Sequence, residues 1–284
     1  MFSKYDHYIQ HVRTAPRWLL WVEAVVVALT APLGLFVFGP SHTFDFIGTL
    51  SSGWIPPQNI ALLLVFSVRV PLVLSLWGRM SSHDLGFTPR GLKGGFGLLL
   101  ALYLLIHIVD AVWIISAGDR PSLDFSLFHP RPGSPITYIW WMTLFVALEE
   151  GIFRGFYCTQ YTHSARKRGH SRTRAIVNGI LFSSLLFCAL HFWRSANDIY
   201  SSWVDAFFVY SNTLIVGIAL GVLYAISNNI WIVVAAHVSA NAPLSIWTDS
   251  RLQTHTEIVS ICLPVAAIVL VLLSSRMRMG AGAA

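Results

Sequence analysis

The residues best suited to chemistry are the ionisable side chains that lie inside long apolar stretches of the sequence. Placing Arg, Lys or Asp at the centre of a bilayer costs about 2.5–3.5 kcal/mol, so residues of this kind mark functional sites by default. Five of the nine residues of this kind fall into three short groups. These five residues and one neighbouring amide are the candidate catalytic residues, namely Glu149, Glu150, Arg154, His191, His237 and Asn241.

The first group is the sequence Glu149-Glu150-Gly-Ile-Phe-Arg154. Glu150 and Arg154 are four residues apart, so on a helix they share a face and can pair, which offsets the cost of burying both charges. Glu149 lies about 100° further round the helix and can point elsewhere. A carboxylate held in an ion pair beside a free one suits general-base chemistry. The alternative is a buried salt bridge with a purely structural role.

The second group is Phe187-Cys-Ala-Leu-His191, and the third is His237-Val-Ser-Ala-Asn241. In both groups, residues four apart share one helix face. The imidazole of His237 and the amide of Asn241 can donate hydrogen bonds to a developing oxyanion. The alternatives are an interfacial or hydrogen-bonded histidine in the second group and ordinary interhelical polar contacts, worth about 0.6 kcal/mol each, in the third.

Together, the three groups supply a base to activate water, a partner to orient it and donors for a tetrahedral intermediate. Such a set can hydrolyse an amide without a serine or cysteine nucleophile. The sequence contains no HExxH or GxSxG motif. A metal ion bound by Glu149, His191 and His237 is the chemical alternative, although this spacing matches no zinc motif.

The apolar stretches that must position these groups are long enough to cross a bilayer. Of the 284 residues, 11% are charged and 55% are hydrophobic, whereas soluble domains are about 25% charged. This composition predicts an all-α, polytopic membrane protein and excludes disordered, collagenous, coiled-coil and disulfide-scaffold classes. The eight predicted spans are Trp18–Phe38, Asn59–Trp77, Phe96–Ala117, Ile136–Tyr157, Ala175–Trp193, Trp203–Ile226, Ile230–Trp247 and Ile258–Ser274.

The basic residues predict the orientation of these spans. With eight spans both termini lie on one side, and the loops of that side hold 13 of the 19 Lys and Arg, against 4 on the other side. The positive-inside rule then places both termini in the cytoplasm. Orientation and contact with anionic lipid explain the net charge of +6, so nucleic-acid binding is not expected. The polar run Thr162–Arg174 is expected to extend the fourth or fifth helix into the cytosol.

The three groups resemble motifs of the CPBP (CAAX protease and bacteriocin-processing) family of intramembrane proteases, which includes the Ras-converting CAAX endopeptidases. Its first motif, two glutamates and an arginine, corresponds to Glu149–Arg154. Its second motif, Phe-x-x-x-His, corresponds to Phe187–His191, and its fourth, His-x-x-x-Asn, to His237–Asn241. A Gly-rich third motif corresponds to Gly217–Tyr224, and the motifs occur in the family's order.

The resemblance implies an all-helical membrane fold around a cavity within the bilayer. It also implies a glutamate-dependent mechanism that needs no metal and no other cofactor. Carried over residue by residue, Glu149 activates water with help from His191, while His237 and Asn241 hold the oxyanion. The other two residues of the first motif brace its helix.

The resemblance covers roughly residues 136–243, which we expect to form the catalytic core of a single transmembrane domain spanning residues 1–284. Within this core, the spacing of Gly217 and Gly221 predicts a close-packing helix surface. Four further ionisable residues in the predicted spans are expected to have structural roles, namely Glu23, Arg69, His107 and Asp110.

We expect an intramembrane endopeptidase that acts on a membrane-associated protein or a lipidated peptide. The alternative from another class is a non-enzymatic membrane scaffold or immunity protein on the same fold. A proton-coupled transporter ranks last because the sequence shows no inverted repeat. The excess of Arg over Lys, 16 against 3, points to a GC-rich bacterium and hence to the bacterial inner membrane. The motifs define a reaction and leave the substrate and the oligomeric state open.

Overall fold

The computed structural model describes residues 3–33, 51–52, 78–125, 134–194, 203–248, 250 and 256–281, and these residues form an all-helical fold. Two helices come first, α1 at Ser3–His11 and α2 at Arg17–Leu33. The others are α3 (Pro89–Ser116), α4 (Pro135–Lys167), α5 (Arg172–Arg194), α6 (Trp203–Ser227), α7 (Ile230–Asn241) and α8 (Thr256–Ala281).

Within the described residues, five helices are long and apolar enough to cross a membrane, so the prediction of eight spanning helices is not confirmed. The five lie in α3, α4, α5, α6 and α8, which correspond to the third to sixth and the eighth predicted spans. The second predicted span, Asn59–Trp77, and the end of the first lie outside the described residues. The seventh corresponds to α7, which is shorter than predicted.

Helix α7 ends at Asn241, so the predicted span Ile230–Trp247 is wrong at its carboxyl end. Pro243 explains this end, because proline has no backbone N–H and drives the preceding residue out of the helical conformation. Ala242 accordingly has φ −132° and ψ 66°. The 12 residues of α7 are about 18 Å long, which is less than the roughly 30 Å of a hydrocarbon core.

Beyond the end of α7, residues 242–248 form a non-helical segment that lies along α3. The Tyr103 hydroxyl donates to the carbonyl oxygen of Ala242 at 2.8 Å, and Trp247 Nε1 donates to the carbonyl oxygen of His107 at 2.9 Å. The segment then pairs with the stretch that follows α3, through an antiparallel bridge at Trp247. Non-helical backbone at membrane depth is tolerated only where it is buried in protein or lines a water-filled cavity.

Glycines bring two pairs of helices into close approach. A Cβ on Gly95 of α3 would lie 2.5 Å from the carbonyl oxygen of Trp231 on α7, so glycine is required there. The predicted close packing at Gly217 and Gly221 is confirmed, because a Cβ on Gly221 would lie 2.8 Å from Ile180 of α5. Helix α6 therefore packs tightly against α5 at the level of the candidate catalytic residues.

Helix α4 is continuous from Pro135 to Lys167, but its middle is not α-helical. Gly151–Cys158 form a π-helix directly after the two glutamates, and all eight of its residues are buried. Such turns are rare and are found frequently at functional sites. The 33 residues of α4 are about 50 Å long, so the helix exceeds a 30 Å hydrocarbon core. This length agrees with the predicted extension of the helix through the polar run.

Helix α1 is docked against the helices that carry the candidate site. Tyr5 and Ile9 are buried in the main apolar cluster, with exposed fractions of 0% and 2%. The Tyr5 hydroxyl lies 3.5 Å from the Sγ of Cys158 at the end of the π-helix, and its ring meets that of Tyr224 edge to face. The amino-terminal helix thus lies against α4 and α6.

Candidate active site

Glu150 is held by partners from two helices. Its Oε2 lies 3.2 Å from Nε of Arg154, and its Oε1 accepts from Arg154 Nη1 at 3.3 Å. The same Oε1 accepts from Nδ1 of His237 on α7 at 2.6 Å. All three side chains are buried, with exposed fractions of 0%, 0% and 2%. The pair that the spacing predicts is present, and His237 extends it into a three-residue network between α4 and α7.

Arg154 makes further contacts with two other helices. Its Nη2 donates to the carbonyl oxygen of Gly217 on α6 at 2.9 Å, and its guanidinium carbon lies 4.7 Å from the ring centre of Phe187 on α5. A Cβ on Gly217 would lie 3.3 Å from Phe187, so the glycine lets its carbonyl approach the guanidinium. Because a buried charge is costly unless it is paired and hydrogen-bonded, these contacts stabilise the ion pair.

Glu149 faces a different histidine and is less buried. Its Oε1 lies 3.8 Å from Nε2 of His191 on α5, and the two side chains are 13% and 21% exposed. His191 Nδ1 lies 2.9 Å from the carbonyl oxygen of Phe187. A carbonyl oxygen can only accept, so Nδ1 carries a proton and Nε2 is the nitrogen directed at Glu149. The 3.8 Å separation is too long for a direct hydrogen bond and leaves room for a water that contacts both groups.

Phe187 is the shared packing surface of the site. Its ring centre lies 4.4 Å from that of His191 and 5.6 Å from that of His237, the latter edge to face. With the guanidinium of Arg154 over the same ring, this one phenyl group contacts members of both glutamate–histidine pairs. The aromatic residue of the second motif therefore fixes the positions of the pairs relative to each other.

Asn241 is the last residue of α7, and it is exposed. It follows His237 by four residues, so the two side chains project from one face of the helix. The next carbonyl, that of Ala242, accepts the Tyr103 hydroxyl, which fixes the point at which the helix ends. Sequence reasoning missed Tyr103, although its spacing of four residues from His107 marks a polar stripe on α3.

The side chains considered as metal ligands are divided between two pairs. Glu149 and His191 face each other, whereas His237 directs its Nδ1 at Glu150. Within the ranges that the structure describes, no group of three or more His, Cys, Asp and Glu side chains is placed to hold a metal ion.

The ionisable residues outside the site have the burial expected of structural groups. Glu23 and Asp110 are 3% and 0% exposed, and each has an interaction partner. The backbone of His107 accepts the indole of Trp247, as described above. Arg69 lies outside the described residues.

Comparison with known proteins places these features in a family. Residues 132–243 match the family model described as Type II CAAX prenyl endopeptidase Rce1-like, and this segment contains every candidate catalytic residue. No curated protein and no solved structure matches the chain significantly. The protein is an integral membrane protein whose described residues form an all-helical fold, and its residues 132–243 match the model of a protease family. That family is the CAAX proteases, so the resemblance stated from the motifs is confirmed.

Proposed function

We propose that this protein is an intramembrane endopeptidase that hydrolyses a peptide bond with a glutamate-activated water. The observation that carries the proposal is the difference between the two adjacent glutamates. Both carboxylate oxygens of Glu150 are engaged, by Arg154 and His237, inside the protein. Glu149 is partly exposed and faces His191 across 3.8 Å. One carboxylate thus serves the structure of the site, and the other is available to water.

Glu149 is the general base of the proposed reaction. A water held between Glu149 and His191 gives a proton to the carboxylate while its oxygen attacks the carbonyl carbon of the scissile bond. The proton then passes from Glu149 to the amide nitrogen, the C–N bond breaks, and an acid and an amine leave. The carbonyl of Phe187 holds His191 in the tautomer that presents Nε2 to this water.

His237 and Asn241 are the proposed donors to the oxyanion. Glu150 accepts the Nδ1 proton of His237, which leaves Nε2 as the ring nitrogen for the oxyanion, and Nε2 donates when the ring carries both protons. The amide of Asn241, one helical turn further on, supplies a second hydrogen bond. In this scheme Arg154 does not contact the substrate. It holds the carboxylate of Glu150, which orients His237.

The depth of the site defines the proposed substrate class. Glu149 is near the middle of the 33-residue helix α4, so a peptide bond must be presented within or close to the bilayer. A membrane-associated protein or a lipidated peptide meets this requirement. We place the enzyme in the bacterial inner membrane with both termini in the cytoplasm, as one transmembrane domain of residues 1–284 with its catalytic core at residues 136–243.

A comparison of membrane proteomes tests the proposed function. Membranes from cells that produce the wild-type protein are compared with membranes from cells that produce Glu149→Gln at the same level. We expect an uncleaved precursor that accumulates only with the variant, and its sequence names the substrate. Identical membrane proteomes, together with full biological activity of a Glu149→Gln/His191→Asn variant, would favour a non-enzymatic scaffold instead.

We expect Tyr103→Phe to lower kcat about tenfold while KM stays unchanged. The substitution removes the donor to the carbonyl of Ala242 and frees the end of α7, so the Asn241 amide is less well placed for the oxyanion. A tenfold effect corresponds to about 1.4 kcal/mol, in the range of one hydrogen bond. The measurement is steady-state cleavage of the precursor identified above.

Tyr138→Phe is the matched control for this substitution. Tyr138 is a tyrosine of α4 that is 40% exposed. We expect its kcat and KM to remain at wild-type values. A Tyr103→Phe variant that changes KM alone would contradict the positioning role of this hydroxyl.

A further inference from the structure

We propose that the protein binds the phosphate group of an anionic phospholipid in a basic pocket between α1 and the end of α4. The pocket has a volume of about 390 Å³. One wall is formed by Ile9 and Gln10 of α1. The other wall is formed by the end of α4 and the turn after it, and its polar residues are His163, Arg166, Lys167 and His170. Along α4, Arg166 lies about 25 Å from Glu149, so this pocket is separate from the candidate active site.

The charge of the pocket favours an anion. Arg166 and Lys167 line it. Arg172, in the first turn of α5, lies near it because it shares a carboxylate with Arg166. The carboxylate of Asp6 lies 3.8 Å from Nε of Arg166 and 3.7 Å from Nε of Arg172. One carboxylate against three cations leaves a net positive charge. A phosphate diester, which carries one negative charge, reduces that excess and accepts hydrogen bonds in the geometry that arginine provides.

Two nitrogens at the pocket have no hydrogen-bond partner among the described residues. They are Nη2 of Arg172 and Nδ1 of His170, and both atoms are buried. Arg166 uses Nη1 on the carbonyl oxygen of His170 at 3.0 Å, which holds the turn in place. Buried polar nitrogens without a partner are uncommon in folded proteins, so these two positions favour an acceptor from outside the protein.

The pocket lies within reach of the lipid phosphates. Trp18 and Trp21 are 54% and 58% exposed on α2, as in the aromatic belt of a membrane interface. The Trp21 ring contacts Phe182, which in turn stacks on Tyr161 of α4. Arg166 follows Tyr161 by five residues, or about 7.5 Å of helix. Long cationic side chains span this distance and extend their charged ends to the headgroups.

Lys167→Gln tests the proposal, because Lys167 is exposed and lies outside the ion pairs of Asp6. The full-length protein is titrated with phosphatidylglycerol in detergent, and bound lipid is counted by native mass spectrometry. One cation near an anionic headgroup contributes about fivefold in affinity, so we expect the Kd for phosphatidylglycerol to rise about fivefold. Lys93→Gln, at an exposed lysine in the second turn of α3, is the control and should leave the Kd unchanged.

Glycerol 3-phosphate separates a lipid site from a site for free phosphate. At millimolar concentration it should not displace the bound phosphatidylglycerol, because the acyl chains hold the lipid at the protein surface. Displacement by glycerol 3-phosphate, an unchanged Kd in Lys167→Gln, or an equal loss in Lys93→Gln would each overturn the proposal. No part of the measurement depends on peptide cleavage, so its outcome is independent of the proposed function.

Discussion

The substitution Glu149→Gln is expected to lower the rate of peptide-bond cleavage by about 10²–10⁴-fold while the protein stays folded. The amide keeps the size of the side chain but cannot take a proton from water. Glu149 is 13% exposed and 3.8 Å from His191, so its replacement should change the free energy of unfolding by less than about 1 kcal/mol. The measurement is the first-order rate at which the accumulated precursor disappears in isolated membranes.

Two further variants make this result specific. Asp119→Asn applies the same acid-to-amide change at an exposed residue beyond the end of α3, and we expect wild-type cleavage. His191→Asn should reduce cleavage as well, because the water loses its second contact. A Glu149→Gln protein that cleaves at the wild-type rate would contradict the proposed base, most directly if Glu150→Gln were folded and inactive.

The identity of the candidate residues could be predicted from the sequence because charge is expensive in a membrane. Glu150 and Arg154 are close along the chain, so their pairing follows from helical geometry alone, and the structure contains it. The close approach at Gly221 was also predictable from local sequence, because small residues at helical spacing let two helices pack closely.

The division of the two glutamates between the two histidines could not be predicted in this way. His237 and Glu150 are 87 residues apart, and their contact depends on how α7 packs against α4. The π-helix at Gly151–Cys158 also has no local signal, because it changes the register of a helix whose composition is ordinary. The carbonyl of Gly217 becomes part of the site only when α6 lies against α4.

The end of α7 shows a different kind of error. Pro243 was visible in the sequence as a helix-terminating residue, yet the apolar run continues to Trp247 and hydropathy alone extends the span. The chain does continue past this point, but as the non-helical segment that Tyr103 contacts. Hydropathy reports the depth at which a residue lies, and it does not report whether the backbone there is helical.

Arg154→Met is the second substitution with a large expected effect, and here the effect is on stability. Removing one partner of a buried ion pair costs about 3–5 kcal/mol, because the remaining charge loses its compensation. In this protein Glu150 would keep only His237, and the carbonyl of Gly217 would lose its donor. We expect the free energy of unfolding in detergent, measured by denaturant titration, to fall by about this amount.

A double variant tests whether Arg154→Met loses stability because Glu150 is left without its ion-pair partner or because the smaller side chain packs less well. In Glu150→Gln/Arg154→Met no charge is left without its partner, so the double variant should be more stable than Arg154→Met alone. Arg168→Met is the control, because this exposed arginine lies 5.8 Å from the ring centre of Tyr161 and should cost less than about 1 kcal/mol. An Arg154→Met protein as stable as Arg168→Met would mean that the buried network does not hold α4, α6 and α7 together.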